Sequence, residues 1–128
     1  MNSTLLVALG GAIGSAARYQ LSGWVLHQSA NWRFPLGTFL VNVIGCLIIG
    51  ILAGLAVRED LLTAELRLFL FTGILGGFTT FSAFGLETFY LLKRGEPLIA
   101  LAYVLASVIC GLLAVWAGFV TIPSQISR

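Results

Sequence analysis

The sequence predicts an all-α integral membrane protein with four transmembrane helices, of which the third is broken in the middle of the membrane. Three observations lead to this fold class. The chain has 128 residues, is 59% hydrophobic and only 9% charged, and its mean hydropathy is +1.01, whereas soluble domains carry about 25% charged residues. Its apolar residues form four long stretches. The third stretch contains glycine and threonine pairs that are unfavourable inside a helix.

Size and charge exclude other classes of protein. A chain this short cannot bury so much apolar surface in a globular core, so a lipid bilayer is its expected surroundings. The net charge is only +2, and the seven basic residues are scattered along the chain. A nucleic-acid-binding protein needs a clustered basic face. We therefore expect no nucleic-acid partner.

The four apolar stretches cover about residues 5–26, 34–57, 66–92 and 97–122. A helix of roughly 20 residues crosses the hydrocarbon core of a bilayer, and each stretch is long enough. The short connections hold most of the charged residues and leave no room for a soluble domain. We therefore expect residues 1–128 to form a single four-helix transmembrane domain.

The lysine and arginine residues do not select an orientation in the membrane. Four spans place both termini on one side. The basic residues near the membrane surfaces are Arg58, Arg67 and Arg128 on the side of the termini, and Arg33, Lys93 and Arg94 on the opposite side. This near balance gives the positive-inside rule nothing to act on. A chain of this kind can insert both ways, and the two forms can then pair as an antiparallel homodimer.

The first two stretches each contain a polar residue that needs an explanation. Arg18 is the only charge in the first stretch, and we expect it to reach the membrane surface or a water-filled vestibule, where it would raise the local concentration of an anion. Asn42 lies in the middle of the second stretch. Its amide needs partners, because an unpaired polar group in hydrocarbon is costly, and its NH₂ group offers two donors.

The third stretch contains Gly76-Gly77 followed by Thr79-Thr80, and we expect the helix to break there. A break frees backbone groups, which are tolerated at this depth only if they are buried in protein or face a water-filled cavity. Freed carbonyls favour a small cation, whereas freed amides and the hydroxyls of Thr79, Thr80 and Ser82 favour an anion. A continuous helix with a glycine-rich packing seam is the alternative.

Aromatic and hydroxyl side chains lie close to the predicted break. Phe78, Phe81 and Phe84 recur every three residues and so share a helix face; such a stripe is usually core or lipid-facing, but the electropositive ring edges could also touch an anion. Tyr103 and Ser107 are four residues apart in the fourth stretch and face the same way. The donors at membrane depth are Asn42, Thr79, Ser82, Tyr103 and Ser107. Together they suit a small, strongly hydrated anion, although each alone is more typical of a helix–helix hydrogen bond.

Glu87 is the only acidic residue well inside a stretch. Two interpretations stay open at this point. The carboxylate could carry a proton or a cation, or it could pair with a hydroxyl or a base near the membrane edge.

The combination of three motifs resembles the fluoride ion channel family, called Fluc or CrcB. The motifs are residues 10–19 (GGAIGSAARY), 37–45 (GTFLVNVIG) and 73–84 (GILGGFTTFSAF). The resemblance covers nearly the whole chain. It implies that the protein is not an enzyme but a passive channel that expels fluoride across the bacterial cytoplasmic (inner) membrane. It also implies an antiparallel, dual-topology homodimer with two pores.

The same resemblance implies roles for individual residues. Backbone carbonyls of Gly76 and Thr79 would hold a Na⁺ ion at the centre of the dimer. Phe81 and Phe84 would be the rings beside the ion path, and Asn42 its polar residue in the second helix. A polar track would consist of Thr79, Ser82, Tyr103 and Ser107, with Glu87 at its end. Arg18 would lie at a vestibule of the pore.

Two other functions fit a short helical membrane protein. A small four-helix exporter that exchanges protons needs a carboxylate in its first helix, and here Glu87 is the only substitute. A subunit that only assembles with other proteins would give the donor residues no role.

Overall fold

The structure is a computed structural model, and it describes residues 1–58 and 61–123, without the side chain of Arg58. In that part of the chain every regular element is helical. Helix α1 spans Ser3–Gln28 and helix α2 spans Leu36–Arg58. Two of the charges weighed above, the Arg58 side chain and Arg128, lie outside the described residues.

The third apolar stretch forms two helical segments. The first half-helix consists of α3 (Ala64–Arg67), a π-helical segment (Leu68–Leu75) and α4 (Gly76–Phe78). The second half-helix is α5 (Phe81–Lys93). Between them Thr79 has φ −85° and ψ 156°, and Thr80 has φ −150° and ψ 116°. Both residues are therefore extended, and we call this interruption the break.

Local sequence signals explain where four of the helices begin. The side chains of Asn2, Thr63 and Thr80 each accept a hydrogen bond from a backbone amide in the first turn of α1, α3 and α5, as good N-cap residues do. Helix α6 (Pro97–Thr121) begins with a proline, whose missing N–H costs nothing in the first turn. Gly95 precedes it with a φ of 76°, a conformation that favours glycine and lets the chain turn sharply between α5 and α6.

Three segments in the described part of the chain are long and apolar enough to cross a membrane. They are Leu36–Val57, Ala64–Lys93 and Pro97–Thr121, and the most apolar 18 residues of each have a mean hydropathy of 2.6, 1.5 and 2.7. At most 28% of the most apolar part of each is buried within the chain, so most of this surface is left for lipid or a partner. Helix α1 has 26 residues but is more polar, because it carries Ser15, Arg18 and Gln20.

Helix α1 packs against the first half-helix through backbone rather than through side chains. A Cβ atom on Gly10 would lie 2.7 Å from the carbonyl oxygen of Phe69 and 2.9 Å from the Cα of Gly73. A Cβ on Gly14 would collide with the carbonyl of Ile74. Glycine lets helices approach this closely in a membrane, where no hydrophobic drive brings them together.

Helices α2 and α6 form a second contact of the same kind. A Cβ on Gly50 would collide with the carbonyl of Val115, and one on Gly118 would collide with the carbonyl of Leu47. The fold therefore contains two tightly packed pairs, α1 with the first half-helix and α2 with α6.

We expect Gly50→Ala to destabilise the protein, because the new methyl group meets the Val115 carbonyl. Overpacking of this kind costs about 1–3 kcal/mol. The matched control is Gly23→Ala, since a Cβ on Gly23 has no atom within 4 Å and alanine is the better helix former. Unfolding of both variants in detergent micelles measures the difference. Equal stabilities would contradict the close α2–α6 contact.

Candidate functional site

The backbone of Thr80 in the break is bound by the side chain of Asn42. The Thr80 amide donates to Oδ1 of Asn42 over 2.8 Å, and Nδ2 of Asn42 donates to the Thr80 carbonyl over 3.0 Å. A side-chain amide carries a donor and an acceptor side by side, so it can replace the peptide group that a continuous helix would offer. The polar residue in the middle of α2 thus holds the break in place.

This pairing changes what happens to the neighbouring carbonyls. In a continuous helix the Thr80 amide would donate to the Gly76 carbonyl four residues back, but here it donates to Asn42. The Thr79 carbonyl precedes the N-cap and, among the described residues, receives no hydrogen bond from backbone. Gly76 is itself exposed on the surface of the chain. Within residues 1–58 and 61–123, two neutral oxygens at the end of the first half-helix therefore have no backbone partner.

The hydroxyl of Thr79 is committed to the helix that it ends. Oγ1 of Thr79 donates to the Leu75 carbonyl over 2.9 Å, and the Thr79 amide donates to the same oxygen over 3.0 Å. The Thr79 methyl group faces α2 at Gly45, where a Cβ would collide with it. The Thr80 hydroxyl instead accepts from the amide of Ala83 and shares a hydrogen bond of 3.2 Å with the Ser82 hydroxyl.

A cavity of about 460 Å³ lies on one side of the break. Its walls come from α2, both half-helices and α6. The sequence-predicted site residues among its walls are Asn42, Gly76, Thr79, Phe81, Phe84 and Ser107. The hydroxyl oxygen of Ser107 is buried and has no hydrogen-bond partner among the described residues. It is therefore an unpaired donor that lies just behind the surface of the cavity wall.

Two phenylalanine rings border this cavity. The centroids of Phe81 and Phe84 are 5.5 Å apart, and the ring planes meet at 37°. Phe84 is partly buried against the core residue Tyr103, whereas Phe81 is 84% exposed. Such an exposed ring beside a polar break is a surface that lipid or a partner must cover.

A smaller recess of about 320 Å³ lies next to Arg18. Its lining also includes Ser15, Tyr19, Ser22, Thr38 and Thr80, so five residues with hydroxyl groups lie beside one positive charge. The guanidinium of Arg18 makes no hydrogen bond or ion pair with other described residues. Thr80 lines both the recess and the larger cavity, which places the break between the two.

Glu87 pairs with two hydroxyls. Thr38 donates to Oε1 and Tyr103 donates to Oε2, each over 2.7 Å. This matches one of the two interpretations given by the sequence, namely pairing with a hydroxyl. It also means that the Tyr103 hydroxyl, on a fully buried residue, already has an acceptor.

The structure brings together most of the sequence-predicted site residues but not all of them. Ser82 is exposed and bonded to Thr80, and Tyr103 lies behind Phe84; neither lines the larger cavity. Sequence reasoning missed Thr38, the second partner of Glu87. Its position four residues before Asn42, on the same face of α2, is a signal that could have identified it.

Comparisons with known proteins agree on one family. A model of the family described as "CrcB-like protein, Camphor Resistance (CrcB)" matches residues 5–119. A protein of Methylobacillus flagellatus named "Fluoride-specific ion channel FluC" is 60% identical over 119 residues, which cover 93% of each chain. Proteins with the same name from Rhizobium meliloti and Rhizobium etli are 46% and 50% identical. The match with the Rhizobium meliloti protein covers 98% of this chain and 100% of that protein. The match with the Rhizobium etli protein covers 92% of this chain and 94% of that protein.

We expect Asn42→Ala to open the break locally. The change leaves the amide and carbonyl of Thr80 without their partner, and each unpaired group costs about 1–3 kcal/mol. Hydrogen–deuterium exchange should therefore become faster at Thr80 than in the unaltered protein. Ser107→Ala is the matched control, because it removes a hydroxyl that has no partner among the described residues. Unchanged exchange at Thr80 in Asn42→Ala would rule out the proposed restraint.

Proposed function

The chain belongs to the CrcB-like protein family, and we propose that it is a fluoride-specific ion channel that works in a membrane. The observation that carries the proposal is the break itself. It interrupts an apolar 30-residue segment with extended backbone, a side-chain amide, hydroxyls and two phenylalanine rings beside a cavity. Non-helical backbone at membrane depth is tolerated only where it is buried in protein or lines a water-filled cavity, and an ion path is such a cavity.

The donors at the break suit fluoride. A small anion that holds water strongly enters a narrow path only if hydrogen-bond donors replace its hydration shell. The Asn42 NH₂ group has two hydrogens, of which one is used on the Thr80 carbonyl, and the Ser107 hydroxyl is unpaired among the described residues. We propose that these two groups, with the hydroxyls of Ser82 and Thr80, serve the passing ion.

Neutral and polar groups at the path allow fast release as well as binding. The rings of Phe81 and Phe84 present weakly positive edges to an anion, and the positive charge that we assign to the path is Arg18 in the recess. We propose that Arg18 concentrates anions at the entrance. Conduction requires sites that bind an ion without trapping it, and a charge at the entrance rather than at the break meets this requirement.

Glu87 lies on the second half-helix and pairs with Thr38 of α2 and Tyr103 of α6. We propose that Tyr103 and Thr79 shape the path through their fixed positions, with Glu87 at its end. The carboxylate is held by two hydroxyls and α1 carries no acid. Both features favour a passive channel over a proton-coupled exporter.

We further propose that α1 is the fourth membrane span and that two copies pair in antiparallel orientation, with one pore on each side of the pair. The exposed Phe81 ring and the unburied apolar surface of the spans support a partner that covers them. The free carbonyls of Gly76 and Thr79 are neutral oxygen ligands that fit Na⁺. A two-fold axis at the break would double them to four. The proposed location is the bacterial cytoplasmic membrane.

We expect the purified protein in liposomes to release fluoride rapidly when a potassium ionophore shunts the voltage, and to release no chloride. Efflux should not depend on a pH gradient, since no proton is exchanged. A fluoride electrode outside the liposomes measures the rate. Release that stops without a proton gradient would indicate an exporter, and no fluoride release would contradict the proposed function.

The same assay tests the residues at the break. Phe81→Ile and Asn42→Ala should slow fluoride release, because they remove a ring edge and an amide donor from the path. Gly23→Ala serves as the control that leaves the path untouched. Normal release in both path variants would remove these residues from the pore.

The proposed dual topology gives a separate prediction. A reporter fused to the C-terminus should be detected on both sides of the membrane, because the basic residues give no orientation bias. One reporter that is active only in the cytoplasm and a second that is active only outside it measure the two populations. Signal from one side alone would contradict dual insertion and, with it, the antiparallel pair.

A further inference from the structure

We propose that Phe34, in the connection between α1 and α2, is a positioning residue that sets the orientation of the Phe84 ring at the break. This inference rests on the proposed function, because it concerns the path assigned to fluoride. Phe34 lies outside the three motifs on which the family resemblance is based, and it does not line the larger cavity. It acts through Tyr103.

Five aromatic rings form a continuous row, which we call the aromatic column. Successive ring centroids lie 5.4 Å, 5.3 Å, 5.1 Å and 5.5 Å apart. In order, its members are Phe39, Phe34, Tyr103, Phe84 and Phe81. Aromatic pairs at these distances prefer defined ring orientations, so the orientation of one ring restricts that of the next.

Tyr103 is the fixed centre of the column. It is fully buried, and its ring lies between those of Phe34 and Phe84, at interplanar angles of 76° and 57°. Its hydroxyl is tied to Glu87. The hydrogen bond holds only the hydroxyl of Tyr103. The tilt of the Tyr103 ring about that hydroxyl is fixed only while Phe34 and Phe84 pack on it from both sides. Removal of the Phe34 ring frees this tilt, and Phe84, which rests on Tyr103, follows it.

Phe34 is itself held against the start of α6. The preceding residue, Arg33, pairs through Nη1 with Oε1 of Glu96 over 3.1 Å, and Glu96 is the N-cap of α6, the helix that carries Tyr103. The Arg33 side chain is 74% exposed, so the ion pair guides the connection only weakly. The packing of the Phe34 ring on the buried cluster of Leu91, Ala100 and Tyr103 is the stronger restraint.

The test uses the full chain with 4-fluorophenylalanine in place of Phe84, observed by ¹⁹F NMR in lipid nanodiscs. We expect Phe34→Leu to shift or broaden the resonance by more than its original linewidth, whereas Phe34→Tyr, which keeps a ring, leaves it in place. Phe89→Leu is the matched control, since Phe89 is 54% exposed and its ring contacts are to Tyr90 and Lys93. If Phe34→Leu does not fold, Phe34→Met takes its place.

Fluoride release from liposomes is the second readout. Phe34→Leu should slow it about threefold to tenfold, the factor that corresponds to the free energy of the Phe34–Tyr103 pair alone, whereas Phe34→Tyr should release fluoride as fast as the unaltered protein. In a Tyr103→Leu background, Phe34→Leu should have little further effect, because residues that act through one another are not additive.

The outcomes separate this inference from the proposed function. An unchanged ¹⁹F resonance in Phe34→Leu, or an equal change in Phe89→Leu, would overturn the role of Phe34 whether or not the protein conducts fluoride. An unaltered protein that releases no fluoride would overturn the function, while the NMR result would still decide whether Phe34 orients Phe84.

Discussion

The two hydrogen bonds between the Asn42 amide and the backbone of Thr80 are the constraint on which the site depends. A helix that stops inside an apolar segment leaves backbone donors and acceptors unpaired, and each costs several kcal/mol where no water reaches it. One side chain satisfies both groups of Thr80 at once. Because Asn42 belongs to α2, the same bonds also fix the break relative to a neighbouring helix.

The glycine contacts set the spacing between the helices that surround the break. Helix α1 and the first half-helix meet through backbone at Gly10 and Gly73, and α2 meets α6 in the same way at Gly50 and Gly118. Because no side chain lies between the two backbones at these glycines, the helices of each pair are held at a short and well-defined distance. The larger cavity lies where the α2–α6 pair meets the two half-helices, and Asn42 is the polar link between the pairs.

Much of this arrangement follows from the sequence pattern. Which partner each polar side chain contacts depends on how the helices pack and on how far the side chain extends. The helical class follows from the apolar stretches, and the importance of residues 76–80 follows from their poor helix propensity. The partner of Asn42 did not follow, since a side chain on one helix meets a backbone group 38 residues later. Tyr103 and Ser107 share a helix face, yet only Ser107 lines the cavity; the long phenol reaches Glu87 instead. Likewise, the hydropathy of α1 is lowered by polar residues whose position along a recess cannot be read from composition.

The interruption at Thr79 and Thr80 also brings two helix ends of opposite polarity close together. The carboxyl end of the first half-helix carries a partial negative charge, and the amino end of α5 carries a partial positive one. A single gap of two residues therefore offers an electrostatic environment for ions of either sign without using an ionised side chain. Because these partial charges belong to peptide groups, they do not titrate, and their contribution to the electrostatic environment of the break should be insensitive to pH over the range in which the fold itself is stable.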